Sequence, residues 1–129
     1  MSYFTIEFIE LIGEKDNFNT IKDFYHKHKN NIDIHYYNDL LFKDVCSSGN
    51  LELCKWLYSL DTPQSFNIHV YNDSTFICAC WYGNLKLCQW LYSLDTPQSF
   101  NIHSENERAF RCACRSGNLE VCKWLYSLD

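Results

Sequence analysis

Residues 49–60 read GNLELCKWLYSL, and the segment returns as GNLKLCQWLYSL at 83–94 and as GNLEVCKWLYSL at 117–128. The spacing is 34 residues each time, and between the first two copies the identity continues: residues 56–69 and 90–103 are the same string, WLYSLDTPQSFNIH. A period of that size marks an array of one supersecondary unit, and such a unit buries its apolar face only by stacking on its neighbours. That removes most enzyme classes from consideration. A chain of 129 residues holds roughly three to four such modules.

The middle copy shows the layout of the unit. Asn72-Asp73-Ser74 offers N-cap chemistry before the apolar run Phe76-Ile77-Cys78-Ala79-Cys80-Trp81-Tyr82, and Gly83 ends that helix as a left-handed C-cap glycine does. A second helix is expected over about 84–94. Its polar residues Lys86, Gln89 and Ser93 share one narrow stripe, and so wide an apolar arc suits a helix sandwiched between neighbours. The loop DTPQSFNIH follows, with a proline that cannot continue the helix. Asn101-Ile102-His103 reads as extended.

This layout resembles the ankyrin repeat, and GNLEVCKWL is the most specific part of the match. The family's signature there is Gly-His-Leu-Glu-Val-Val-Lys-Leu-Leu, with Asn118 standing for its histidine and Cys122 for its second valine. The family's Ala-Ala pair corresponds to Val45-Cys46, Ala79-Cys80 and Ala113-Cys114, and its preceding leucine to Phe42, Phe76 and Phe110. The Trp-Leu, cysteine-rich second helix is similar to that of the expanded ankyrin arrays of giant amoeba-infecting viruses of the mimivirus kind. The resemblance implies an all-α solenoid of stacked antiparallel helix pairs. The Thr-Pro-Leu-His corner of the family is Leu40-Leu41-Phe42-Lys43, Ser74-Thr75-Phe76-Ile77 or Arg108-Ala109-Phe110-Arg111, so its hydrogen-bond network is expected to be lost. The hairpin-tip glycine is Asn38, Asn72 or Asn106, which enters the left-handed region less readily. Degenerate or absent β-hairpin fingers are expected, with a further helical turn at TPQSF. The tetratricopeptide repeat shares the period but needs two long helices with short connections, and here about a dozen residues per period are loop.

The expected division is a diverged capping module over 1–35, repeats over 36–69 and 70–103, and a shortened repeat over 104–129. In the first, Ser2–Ile12 and Asn17–His28 read as helices, with Phe4, Phe8 and Leu11 towards the array and Glu7 and Glu10 outward. In the last, Val121, Cys122, Leu125 and Leu128 repeat the interior pattern of Leu87, Cys88, Leu91 and Leu94 with no polar substitution. An uncapped array end is expected there, with fraying after about Glu120 or self-association through that face.

Sixteen acidic residues against eleven basic give a net charge of −5, the wrong sign for a phosphate-backbone partner. No stretch approaches the ~20 apolar residues of a membrane span. MSYFTIEFIELIGEKD carries Glu7 and Glu10 in its apolar run and no basic n-region, unlike a secretory signal. Neither nucleic acid nor a membrane is expected as partner, and an intracellular location is. The eight cysteines fall at repeat-equivalent places (46, 80, 114; 54, 88, 122; 78, 112), which fits small buried hydrophobes carried as reduced thiols.

Cys78-Ala79-Cys80 and Cys112-Ala113-Cys114 raise the question of a metal. Positions i and i+2 of a helix point roughly 200° apart, so such a pair does not grip one ion, and packing is the simpler role. Cys114, between Arg111 and Arg115, comes nearest to the electropositive setting of a reactive thiol. His35, His69 and His103 recur one period apart, too far to share a ligand, and read as loop-stabilising donors. Trp56, Trp90 and Trp124 offer an aromatic ladder for a partner, but identical residues in every module are more simply packing between modules.

Positions that differ between copies are free of that constraint. They are the hairpin-equivalent stretches 36–39, 70–73 and 104–107, and the inner-helix sets Lys43, Ser47, Ser48; Ile77, Trp81, Tyr82; and Arg111, Arg115, Ser116. In the ankyrin family these line the concave binding surface; drift at exposed sites would look the same. The candidate partner-binding residues are Ile77, Trp81, Tyr82, Arg111, Arg115, Tyr71 and Lys43. No catalytic constellation and no cofactor site is discernible. Three functions remain open: a non-catalytic protein-interaction scaffold acting on host or viral proteins, a thiol-based metal or redox module, and a truncated repeat paralogue without a dedicated partner.

Overall fold

A computed structural model describes residues 1–14, 17–60, 66–94 and 100–128, with the backbone alone at 70–72. Eight α-helices occur among the described residues, and no strand: α1 (Tyr3–Gly13), α2 (Phe18–His28), α3 (Tyr36–Ser47), α4 (Leu51–Ser59), α5 (Val70–Trp81), α6 (Leu85–Ser93), α7 (Ser104–Arg115) and α8 (Leu119–Ser127). They pair as four hairpins, α1 with α2 through α7 with α8. The hairpins stack, with α3 on α5 and α5 on α7 in one row and α6 against α8 in the other. This is the all-α repeat fold that the 34-residue period implies, and the β fingers are absent from the described residues. The further helical turn expected at TPQSF falls on 62–65 and 96–99, outside the described residues.

Local chemistry sets the helix ends. Ser2 caps α1 by accepting the Thr5 N–H at 3.1 Å, and Asn17 caps α2 through Asn19 at 2.8 Å, each satisfying a donor the helix leaves over. Thr5 is itself buried, and its hydroxyl accepts the Asp33 N–H at 2.9 Å. Between the two helices of a repeat the turn is a Schellman motif: after α5 the Gly83 N–H reaches Cys80 O (3.2 Å) and the Asn84 N–H reaches Ala79 O (3.1 Å).

The entry to each inner helix departs from the sequence reading. Asn101-Ile102-His103 is a turn, not an extended segment: the Asn101 side chain accepts the His103 N–H at 3.0 Å, an Asx turn. A left-handed turn comes first, directly after His35, His69 and His103, since Tyr37, Asn38 and Asp39 have φ of 46°, 55° and 63°, Asp73 has 59°, and Glu105, Asn106 and Glu107 have 52°, 58° and 62°. The right-handed helix starts only after Asp39, Asp73 and Glu107, where the Asn72-Asp73-Ser74 capping signal puts it. Each such residue costs about 1–2 kcal/mol when it is not glycine. The recurring histidine compensates. His35 Nδ1 meets Asp39 Oδ1 at 2.5 Å, His69 meets Asp73 at 2.6 Å and His103 meets Glu107 at 2.6 Å. The histidines are loop-stabilising, as their position suggests, and replace the missing Thr-Pro-Leu-His network.

The core is aromatic and shared between modules. Each repeated tryptophan packs on the preceding module: Trp56 edge-on to Phe18 and Tyr25, Trp90 to Tyr58, Trp124 to Tyr92. The loops contribute too, because Phe66 and Phe100 are buried and stack on Phe42 and Phe76 with centroids 5.0 and 4.7 Å apart.

The α8 end needs a correction. Val121 and Leu125 are buried, like Leu87 and Leu91 before them. Helix α8, which carries them, packs on α7 and α6. The residues that open at this end are Phe110, Cys114, Cys122 and Tyr126.

Candidate functional site

The candidate residues fall on the inner row of helices. Ile77 lies inside α5, Trp81 is its last residue and Tyr82 its C-cap, followed by Gly83 in the left-handed region. That exit leaves both rings outside: Trp81 is 40 % and Tyr82 68 % exposed, whereas Ile77 is buried behind them. Neither ring stacks on another among the described residues, unlike every repeated tryptophan. Tyr82 also borders an open cleft of about 450 Å³ between the ends of α3 and α5, lined by Ser47, Ser48, Gly49, Ala79 and Asn84. The two serine hydroxyls there donate to their own helix, to Lys43 O at 2.9 Å and Val45 O at 2.6 Å.

The cationic residues differ in availability. Arg115 is exposed at the end of α7 with no ion pair among the described residues. Arg111 is exposed, but its guanidinium donates to Asn106 O (2.8 Å) and Glu105 O (3.0 Å), tying the left-handed turn to the helix. Lys43 is half-buried on α3. The side chain of Tyr71 lies outside the described residues.

Two sets of residues escaped the sequence reading. One is the asparagine after each turn glycine. Asn84 accepts the Leu87 N–H at 3.1 Å as helix cap and donates across the stack to Gly49 O at 3.0 Å. Asn118 donates to Trp81 O at 2.6 Å and Cys80 O at 3.1 Å. The exit of α5, and with it the placement of Trp81, is thus pinned by the next module. The signal was the invariance of Asn50, Asn84 and Asn118 between copies.

The other set is thiol pairs across the three hairpins that follow α1 and α2. Cys80 and Cys88 sulfurs are 3.8 Å apart, and Cys114 and Cys122 3.1 Å. The turn folds the second helix back, so positions i and i+8 meet where i and i+2 cannot. Burial, then Cys54, holds the Cys46 thiol well above its usual range; the Cys88 contact, then burial, does so for Cys80. Cys122 is pushed up to about 11 by burial and then by Cys114. No group of three or more His, Cys, Asp or Glu is placed to hold a metal among the described residues. Thiolate is the reactive form, so a native-state reaction with an aromatic disulfide should modify exposed Cys114 first. The buried Cys46, Cys54, Cys80 and Cys88 should react only on unfolding, which peptide mapping would check; equal labelling of Cys80 would contradict the packing described.

Among the described residues no helix is long and apolar enough to cross a membrane. Residues 41–129 match the family model of ankyrin repeats in three copies, and ankyrin repeats are generally protein-interaction modules, typically non-catalytic. No curated protein and no solved structure matches the chain. The family match spans more than half of the sequence and coincides with the stacked hairpins, so this chain belongs to the ankyrin repeat family.

Proposed function

We propose that this protein is a non-catalytic interaction module whose contact patch centres on Trp81 and Tyr82. The observation that carries the reading is that these two large rings are exposed and unstacked at a position where the neighbouring modules have Ser47-Ser48 and Arg115-Ser116. Module packing therefore does not require them. Trp, Tyr and Arg are the residue types that dominate interface energetics. Ile77 supports the rings from behind, Arg115 and Arg111 add a cationic edge on α7, and Lys43 and Tyr71 extend the surface to either side. An aromatic centre beside a cationic edge suits an acidic, partly apolar peptide. Part of the same reading is the division into a capping module over 1–35 and repeats over 36–69, 70–103 and 104–129. So is action on host or viral proteins inside the cell, in keeping with the giant-virus character of the Trp-Leu, cysteine-rich helix.

Affinity capture from expressing cells, followed by titration of the captured partner, tests the patch. Trp81→Ala should weaken binding by about 2 kcal/mol or more, and a change at Ser93 on the opposite helix row should leave it unaltered. Undiminished binding by the Trp81→Ala, Arg115→Ala double variant, with the helical signal intact, would rule the patch out.

A further inference from the structure

The cysteines carry a second spacing besides the repeat period. Cys46 and Cys54, Cys80 and Cys88, and Cys114 and Cys122 are each eight residues apart, once per repeat, whereas Cys78 and Cys112 have Asp44 as their counterpart in the first repeat. The first member of each pair sits on an inner helix and the second on the outer helix that follows. The turn between them lays the sulfurs against each other, 3.8 Å apart for Cys80 and Cys88 and 3.1 Å for Cys114 and Cys122. Cys54 lies within hydrogen-bond reach of Cys46 in the same way. Sulfurs already in contact can close to the bond of about 2 Å by turning the side chains, with no backbone movement. The middle pair is the most telling, because α5 has α3 on one side and α7 on the other, and Cys80 and Cys88 are both 0 % exposed. Packing alone would accept any small apolar residue at these six positions. All six are cysteine.

We propose that these hairpin pairs are sites of reversible disulfide formation, each stapling an inner helix to its outer helix, with a low-molecular-weight disulfide such as oxidised glutathione as the oxidant. One cysteine of the pair, as thiolate, attacks a sulfur of the oxidant and releases one small thiol. The second protein thiolate then attacks the protein sulfur of that mixed disulfide and releases the other. The pair loses two electrons and two protons, and the oxidant leaves as two thiols. A closed pair reacts slowly, since burial and mutual contact hold Cys46 and Cys80 above the usual thiol range and thiolate is the nucleophile. The reaction therefore follows the opening of a hairpin, which a nearest-neighbour array undergoes module by module, and reclosure brings the partner sulfur up. Cys80 also feels Cys112 and Cys122 of the next repeat, less strongly than Cys88, so cross-repeat pairing is the competitor. These sites stand independently of the Trp81 patch.

Incubating the full chain with reduced and oxidised glutathione at the midpoint of its urea transition, alkylating the remaining thiols and mapping the peptides tests the sites. Cys80–Cys88 and Cys46–Cys54 should be the dominant linkages, with Cys114–Cys122 beside them and Cys78 and Cys112 alkylated. Well above the transition, where the fold no longer selects partners, the linkages should scatter and include the sequence neighbours Cys78–Cys80 and Cys112–Cys114. Cys80→Ser should leave Cys88 alkylated or carrying glutathione, while Cys46–Cys54 forms as before. The oxidised chain should unfold at higher urea, its unfolding equilibrium constant lowered roughly tenfold or more, and dithiothreitol should restore the original midpoint. Cross-repeat linkages or glutathione adducts in place of Cys80–Cys88 would overturn the proposal. So would an oxidised chain that unfolds at lower urea, since the bond would then strain the hairpin it is meant to close.

Discussion

Phe76→Ala should destabilise the whole array by about 3–5 kcal/mol, the loss expected for a buried aromatic truncated in a core. Phe76 is 1 % exposed, stacks on Phe100 and lies 6.3 Å from Trp124. It joins the loop that closes its own module to the outer helix of the next. In a nearest-neighbour array, stability is the sum of module terms and interface terms, and this substitution weakens both. A domain of this size has only about 5–15 kcal/mol to lose. Urea unfolding followed by far-UV circular dichroism should show a midpoint shifted far down, with Trp124 fluorescence changing before the rest. Phe110, at the equivalent position of the following repeat, is half-buried with no ring stacked on it among the described residues, and Phe110→Ala should cost about 1–2 kcal/mol, a fraction of the full burial term. Equal losses at the two positions would mean that the loop phenylalanines do not carry the stack.

The sequence carried the architecture because repetition states it directly. A 34-residue period, a glycine at 49, 83 and 117 and an apolar arc too wide for a surface helix together imply stacked hairpins, and the helices fall within a residue or two of where the pattern places them. What the pattern hid depends on contacts distant along the chain. Phe66 lies in a polar, proline-containing loop with no local periodicity, and only folding places it on Phe42. The left-handed turns were hidden for the opposite reason: Tyr37 and Glu105 are residues that avoid φ > 0 on their own. The conformation is fixed by a histidine–carboxylate bond closing the turn from outside, through pairs that read as separate polar residues. Within one helix cysteines at i and i+2 diverge, and the thiol pairs form instead between two helices, at i and i+8.

Legibility at the candidate site was of another kind. Trp81 and Tyr82 stood out because they break the repeat, and their exposure follows from the same fact: residues not dictated by stacking need not be buried by it. Val121 and Leu125 show the limit of that logic. Position in the array indicates how many neighbours a module has but not which face of a helix each neighbour covers, and these two face inward even in the last module. Arg111 matched the patch by residue type, while its bonds to the carbonyls of the preceding turn depend on a conformation the sequence did not reveal.

Alanine at the three turn glycines should produce a graded series, with Gly83 far the worst. All three lie in the left-handed region, at φ of 80°, 74° and 81°, so each substitution carries about 1–2 kcal/mol of backbone strain. The surroundings separate them. A Cβ on Gly117 meets nothing within 4 Å, and one on Gly49 sits 3.2 Å from Asn84 Nδ2, a side chain able to give slightly. On Gly83 it would overlap the Asn118 carboxamide, with Cγ 2.5 Å away. Asn118 cannot retreat freely, because its two Nδ2 hydrogens are shared among Trp81 O, Cys80 O and Ser116 Oγ. Displacing it forfeits those bonds, each contributing about 0.5–1.5 kcal/mol, and Gly83→Ala should therefore cost about 3 kcal/mol in total against about 1 for Gly117→Ala. Urea titration of the three variants measures the series. The coupling is tested by Asn118→Ala, which removes both the obstacle and the bonds. Combined with Gly83→Ala it should cost clearly less than the two changes summed, since the bonds can be lost only once. Strict additivity would show that Asn118 does not stand over the turn, and the clamp that holds Trp81 at the exit of α5 would have to be sought elsewhere.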